Sequence, residues 1–220
     1  MERAGNDGLY RAKLIAAKER WANEGRLLTG VPDPARIRRL PPGQRLVNDW
    51  PVLDLGTMPN LSTGDWTFSV GGMIERPLRW GWRDFLAQPQ LTLRQDFHCV
   101  TSWSRYDNDV TGVPALHLLD LIRPKAEARF LMLRSYDGYT TNLALDDFAG
   151  EDVLLAHAWQ GQPITREHGG PMRLILPKLY LWKSAKWLRH ITVTDKDSPG
   201  YWEQRGYHMR GDPWTEQRYG

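Results

Sequence analysis

From Trp66 onward the chain is cut into short apolar runs by turn-forming residues, and this segmentation constrains its fold more than any other feature. Trp66, Phe68 and Val70 alternate with other residues and share one face of a strand. Further strands are expected over 91–100, 130–133, 139–143, 153–159, 163–164, 173–176 and 190–193. Asp137-Gly138 and Gln160-Gly161 supply turns between neighbouring strands. Short helices are expected over 82–87, 116–121 and 146–148, with a helical start near Trp182. There are no internal repeats. The pattern reads as α+β, mostly β.

The flanks read differently. Leu9, Leu14, Ala17, Trp21 and Leu28 recur at roughly helical spacing, Asn6 or Asp7 can cap the start, and Gly30, Pro32 and Pro34 end the run. Residues 1–38 are therefore expected to be a helical arm and linker. The Pro- and Gly-rich stretch 39–60 should wrap the body as an ordered loop, and 39–197 should be the functional domain. Residues 198–220 read as a polar tail, anchored by Trp202, Tyr207 and Trp214. Residues 1–48 carry a net +5 and the remainder −2. The basic arm lacks aromatic interleaving, so it reads as a solvated helix and not as a nucleic-acid-binding arm.

Cys99 is the only cysteine in 220 residues. This excludes an intramolecular disulfide framework and any cysteine-rich zinc or iron–sulfur site. Phe97, Val100, Thr101 and Trp103 place Cys99 near the end of a strand, facing into the fold. The polar residues from Ser104 to Gly112 read as a loop able to form a cleft wall. A lone cysteine is usually a small core hydrophobe; the alternative is a ligand or nucleophile. His98 must point to the opposite face of the strand, which makes it a poor second ligand beside Cys99. A free thiol, the lack of an apolar leader or twin arginine, and the lack of a membrane-length apolar run lead to an expectation of a cytoplasmic protein with no membrane span.

Residues 168–194 carry Arg173, Lys178, Lys183, Lys186 and Arg189 and no Asp or Glu. They open on Gly169-Gly170-Pro171 and contain Lys183-Ser184-Ala185-Lys186. Cationic heads, a hydroxyl and glycine N–H donors suit an oxyanion such as a phosphate.

The run Cys-Val-Thr-Ser-Trp-Ser, the Gly-Val-Pro that follows it, and GGPMRLILPKLYLWKSAKWL together resemble the molybdopterin-binding domain of the sulfite oxidase family. The resemblance runs from about Arg39 to about Asp197 and is strongest to the short bacterial branch that lacks haem, near the methionine sulfoxide reductase catalytic subunits. It implies mixed β-sheets with short helices and a molybdenum–molybdopterin cofactor, with Cys99 as the protein thiolate on the metal. It places His168, Arg173, Ser184, Ala185 and Lys186 on pterin- and phosphate-contacting positions, and Ser135 near a further hydroxyl contact. Lys183 and Arg189 would support the site from behind.

Two departures stand out. Where the sulfite oxidases carry a tyrosine after Leu-Leu-Ala, this chain has His157, which can relay a proton near neutral pH or can simply be packed. The substrate arginines are not recognisable, and Arg105 is the one nearby candidate for an anionic substrate. The implied activity is a two-electron oxygen-atom transfer on a small-molecule substrate. An external electron-transfer protein is expected, since no haem, flavin or iron–sulfur motif is visible. The rival readings are a cysteine-nucleophile hydrolase or transferase using His117, His157 or His168, and a non-enzymatic anion-binding module.

Overall fold

A computed structural model describes residues 39–220; the arm expected over 1–38 lies outside the described residues. Two sheets carry the fold. The first combines β1 (Arg45–Leu46), β4 (Leu91–Cys99), β5 (Trp103–Pro114), β8 (Leu154–Trp159), β9 (Gln162–Pro163) and β10 (Arg173–Ile175). The second has the order β3 (Leu78–Gly81), β2 (Thr67–Gly72), β11 (Leu188–Thr194), β6 (Phe130–Ser135), β7 (Thr140–Ala144). β1 pairs with β5 and β2 with β11 in parallel; the other pairings are antiparallel. Three short helices, α1 (Trp82–Leu86), α2 (Ala115–Ile122) and α3 (Leu145–Phe148), link the strands. This is the mostly-β, mixed-sheet arrangement expected.

Period-two burial builds the core. Phe68 and Val70 of β2, Leu131 and Leu133 of β6, and Ile191 and Val193 of β11 are all buried. They join one continuous core with Phe97 of β4, Val110 and Val113 of β5, and Leu154 to Ala156 of β8. Leu118 and Ile122 of α2 close its side. Arg123, with φ of 50°, ends that helix one residue before Pro124.

The segment from Ser104 to Gly112 departs from expectation: it is the body of β5, not a loop. β4 runs along one edge of this strand, while β1 and β8 share the other at opposite ends. Its polar side chains are satisfied by pairing across strands, not by turns. Arg94 faces Asp109 with an Nε–Oδ1 distance of 2.8 Å, and the hydroxyls of Thr92 and Thr111 lie 2.8 Å apart. Asn108, fully buried, donates to the carbonyls of Gln95 (3.0 Å) and Arg105 (2.9 Å) and accepts from the Trp159 indole (3.0 Å).

The tail packs on the body through Trp202 and Tyr207, both buried and stacked with centroids 5.1 Å apart. Trp214 is not an anchor: it is 46% exposed and lies edge-on to His98. Lys183, expected to support the site from behind, faces the tail. It is wholly buried, 2.6 Å from Glu203, and it also donates to Asn142 and Met209. Among the described residues no helix is long and apolar enough to cross a membrane.

Candidate functional site

Cys99 ends β4 on a tight turn. Its carbonyl accepts the Ser102 N–H at 3.0 Å, and Ser102 takes a φ of 67°. Its side chain is 4% exposed and borders a cleft with about 760 Å³ of space, part of it open to solvent. The thiol sits 3.1 Å from Thr101 Oγ1, which can donate to a thiolate. His98, on the opposite face of β4, bonds Ser104 Oγ at 2.8 Å and does not border the cleft. Burial holds it down to about 4.

The other walls come from both sheets. Arg173 opens β10; Ser184 and Lys186 lie in the segment leading into β11; Asp137 and Tyr139 belong to the β6–β7 turn. Trp50, Trp103, Trp182, Trp187 and Trp202 make the surface strongly aromatic. Cys99, Arg173, Ser184 and Lys186 thus border one cavity.

The cations also brace the chain. The Arg173 guanidinium donates to the carbonyls of His168 and Ser184, each at 2.7 Å, and lies 5.2 Å from the Trp50 ring centre. Lys186 donates to the Glu167 carbonyl at 2.6 Å. Ser184 Oγ accepts the Leu176 N–H at 3.0 Å and keeps a hydroxyl proton to donate. Arg173 is 2% exposed, and no carboxylate among the described residues pairs with it. Burial pushes it down to about 9.

The Gly-Gly pair plays a different part from the one expected. The Gly169 N–H donates to the Arg166 carbonyl (3.1 Å) and the Gly170 N–H to the Thr165 carbonyl (3.0 Å). These donors are used within the loop and do not cradle an anion. The glycines serve close approach instead. A Cβ on Gly169, whose φ is +103°, would lie 2.8 Å from Lys186 Cβ; one on Gly170 would lie 2.0 Å from the Ile164 carbonyl oxygen.

The remaining expected residues lie around or away from the cavity. His168 stacks on Trp50 (4.4 Å) and its Nε2–H donates to the Trp50 carbonyl at 2.9 Å, one layer behind the lining; burial lowers its pKa. Ala185 contributes its carbonyl to the Leu174 N–H (2.9 Å). Ser135 is buried at the end of β6, and its hydroxyl has no partner among the described residues. His157 is not brought to the cavity. It lies edge-on to Trp82 and Phe85 of α1, with ring centres 6.2 and 5.8 Å away, and burial lowers its pKa. Arg105 also points elsewhere: it donates to the Asn48 carbonyl (3.1 Å) and covers the Trp159 ring at 4.7 Å. Arg189 lies on the Tyr136 ring, 5.2 Å from its centre.

Two residues that hold the cysteine turn were not anticipated. Gln44 Nε2 donates to the Cys99 carbonyl at 3.0 Å, and Arg218 Nη1 donates to the Val100 carbonyl at 2.6 Å. Both contacts run to main-chain carbonyls far away in sequence, so no local motif announces them.

Comparison with known proteins identifies the family and the fold. The profile of the oxidoreductase molybdopterin binding domain matches residues 55–202. The chain is 46% identical over 182 residues to the uncharacterized oxidoreductase YuiH of Bacillus subtilis, covering 82% of this chain and 92% of that protein. It is 24% identical over 188 residues to the protein-methionine-sulfoxide reductase catalytic subunit MsrP of Pseudomonas syringae pv. tomato, covering 72% of this chain but only 56% of that protein. The crystal structure of the sulfane dehydrogenase SoxCD from Paracoccus pantotrophus shares the fold, with a TM-score of 0.63 at 21% identity over 74% of this chain and 48% of that one. The chain belongs to the oxidoreductase molybdopterin-binding domain family, and is a molybdopterin-type oxidoreductase of the sulfite oxidase family.

Proposed function

We propose that this cleft holds a molybdenum–molybdopterin cofactor with Cys99 as the protein ligand to the metal, and that the enzyme carries out a two-electron oxygen-atom transfer on a small substrate. One observation carries the reading. Arg173 is a buried cation with no carboxylate partner among the described residues, and it borders the same cavity as the chain's only cysteine. A buried guanidinium is costly unless its charge is met, and a negatively charged ligand end meets it. The rest of the lining fits as well. A soft thiolate suits molybdenum, and the Trp103 indole N–H is buried without an acceptor among the described residues.

When bound, the metal supplies the oxygen-atom and redox chemistry. The chain's residues do the rest. Cys99 anchors the metal, with Thr101 donating to its sulfur. Arg173 and Lys186 bind the cofactor's negatively charged end, and Ser184 offers its hydroxyl proton there. The tryptophan walls exclude water and strengthen each of these contacts. Ala185, His168 and Ser135 shape the loops around that end. Electrons come from or go to an external carrier protein, and we place the enzyme in the cytoplasm, where a lone free thiol stays reduced.

The decisive measurement is the metal content of the purified protein together with the turnover of Cys99→Ser. Stoichiometric molybdenum, with Cys99→Ser folded but inactive and spectrally altered, is the expected result; unchanged turnover in that variant overturns the ligand assignment. A screen of sulfoxides, N-oxides and sulfite with artificial electron carriers then finds the substrate. The cysteine-nucleophile reading gains no support from the geometry. Among the described residues no histidine borders the cleft, and the thiol's neighbour is a threonine hydroxyl.

A further inference from the structure

We infer that Arg218, in the C-terminal tail, is a positioning residue for Cys99: its guanidinium fixes the main-chain turn that aims the thiol into the cleft. This rests on the reading of Cys99 as the metal ligand.

Arg218 is 1% exposed, although it lies in a polar, charged segment where an arginine is ordinarily solvated. Its nearest carboxylate among the described residues, on Glu216, lies 3.9 Å from Nε, too far for a direct hydrogen bond. The head group is spent on main chain and on one hydroxyl. Nη1 donates to the Val100 carbonyl at 2.6 Å and reaches Ser102 Oγ at 3.4 Å, while Nη2 reaches the Pro42 carbonyl at 3.3 Å. The Tyr180 ring covers it, 5.0 Å from the guanidinium carbon.

Two of these contacts, to Val100 and Ser102, fall on residues directly after Cys99. The turn from Cys99 to Ser102 closes through one hydrogen bond and includes Ser102 at a positive φ, a conformation that a serine adopts only when its surroundings impose it. Three outside contacts impose it: Arg218 on the carbonyl of Val100, Gln44 on the carbonyl of Cys99, and the Arg45 N–H on the carbonyl of Ser102 at 3.0 Å. Arg218 is the charged member, and hydrogen bonds from a cation are the stronger kind. The segment bearing Pro42 is itself packed on the tail: a Cβ on Gly43 would lie 3.1 Å from Arg218 Nη2. One guanidinium therefore ties the stretch before β1, the cysteine turn and the tail together.

A positioning role predicts a local loosening that a general loss of tail packing does not. The test compares Arg218→Gln and Arg218→Lys with Arg210→Gln, which releases a tail arginine from Asp147 and touches nothing at the turn. In cofactor-free protein, the alkylation rate of Cys99 and the hydrogen exchange of the amides at 99–104 are read under native conditions. Both Arg218 variants should react about tenfold faster or more, the factor expected when one charged hydrogen bond is lost from a local opening equilibrium, and Arg210→Gln should not. Arg218→Lys keeps charge and bulk, so it reports on the guanidinium fork even if Arg218→Gln does not fold. In the holoenzyme, the same variants should shift the thiolate-to-metal absorption while molybdenum remains bound. Equal Cys99 reactivity and exchange in the Arg218 variants and Arg210→Gln overturns the assignment. The cofactor-free readouts do not involve the metal, so a failure of the ligand assignment for Cys99 would show separately, in the Cys99→Ser experiment.

Discussion

Lys183 Nζ lies 2.6 Å from Glu203 Oε1, and neither side chain has any solvent exposure. The pair joins the segment before β11 to the tail. Glu203 also accepts from Thr141 Oγ1 (3.0 Å) and the Trp182 indole (2.8 Å), so removing one partner strands a buried charge among groups that need it. Lys183→Met is expected to lose about 3–5 kcal/mol of stability. The double variant Lys183→Met/Glu203→Gln should lose less than the sum of the two single losses. Urea denaturation of the four proteins measures this coupling, and additive losses would show that the pair does not act as a unit.

Arg173 sits buried without a carboxylate partner among the described residues, so an anion should stabilise the fold through it. Inorganic phosphate or pyrophosphate added to cofactor-free protein is expected to raise the thermal midpoint. At a hundred times the dissociation constant the gain is about 2.7 kcal/mol. Arg173→Gln should abolish the gain; an equal rise in that variant would remove Arg173 from the anion site.

Close packing at Gly170 leads to a contrast between two glycines. Gly170→Ala places a Cβ 2.0 Å from the Ile164 carbonyl oxygen and should cost about 2 kcal/mol or more, with lower cofactor occupancy. Gly161, in the β8–β9 turn, has a φ of +72° and open space where a Cβ would go, so Gly161→Ala should cost only about 1 kcal/mol. Thermal unfolding and metal content of the two variants check this.

Burial lowers the pKa of His98, His157, His168, His190 and His208 below the ordinary 6.5. As pH falls below 6.5, the unfolded chain takes up protons that the folded chain refuses. Stability should therefore be fully present above about pH 6.5 and be lost as pH falls through the folded values, with His98, held at about 4, marking the lower end of the window. His157→Phe should make the fall shallower, since His157 sits against aromatic rings with a buried Nε2 that has no partner among the described residues. Denaturation midpoints of cofactor-free protein between pH 4 and pH 8, the range in which imidazoles titrate, test the sign and the slope.

What the sequence made legible follows from the range of the interactions. Strands whose inner faces alternate, such as Phe68 and Val70 of β2, were readable because burial repeats within a few residues. β5 was not, because Asp109 and Thr111 look like loop residues until Arg94 and Thr92 are placed opposite them. The acid-free run around Arg173 and Lys186 pointed to a common cavity, and both residues border it. The glycines beside them suggested anion-binding donors, yet their N–H groups are used by Arg166 and Thr165. His157 was singled out by its place in a family pattern, but the direction of its ring depends on α1, which no local pattern positions. Gln44 and Arg218 were invisible because they bind carbonyls 55 and 118 residues away, and a carbonyl carries no sequence signature.

The cleft is bordered by residues from both sheets: Cys99 and Arg173 belong to the first, while Asp137 and Tyr139 lie at the β6–β7 turn of the second. Its width is thus a property of the seam where the two layers meet. A substitution at that seam, far from any ligand-contacting atom, can widen or narrow the opening by tilting one layer against the other. Relatives with the same anchoring groups can in this way admit substrates of different size, with the selecting changes hidden in the interior rather than displayed around the mouth.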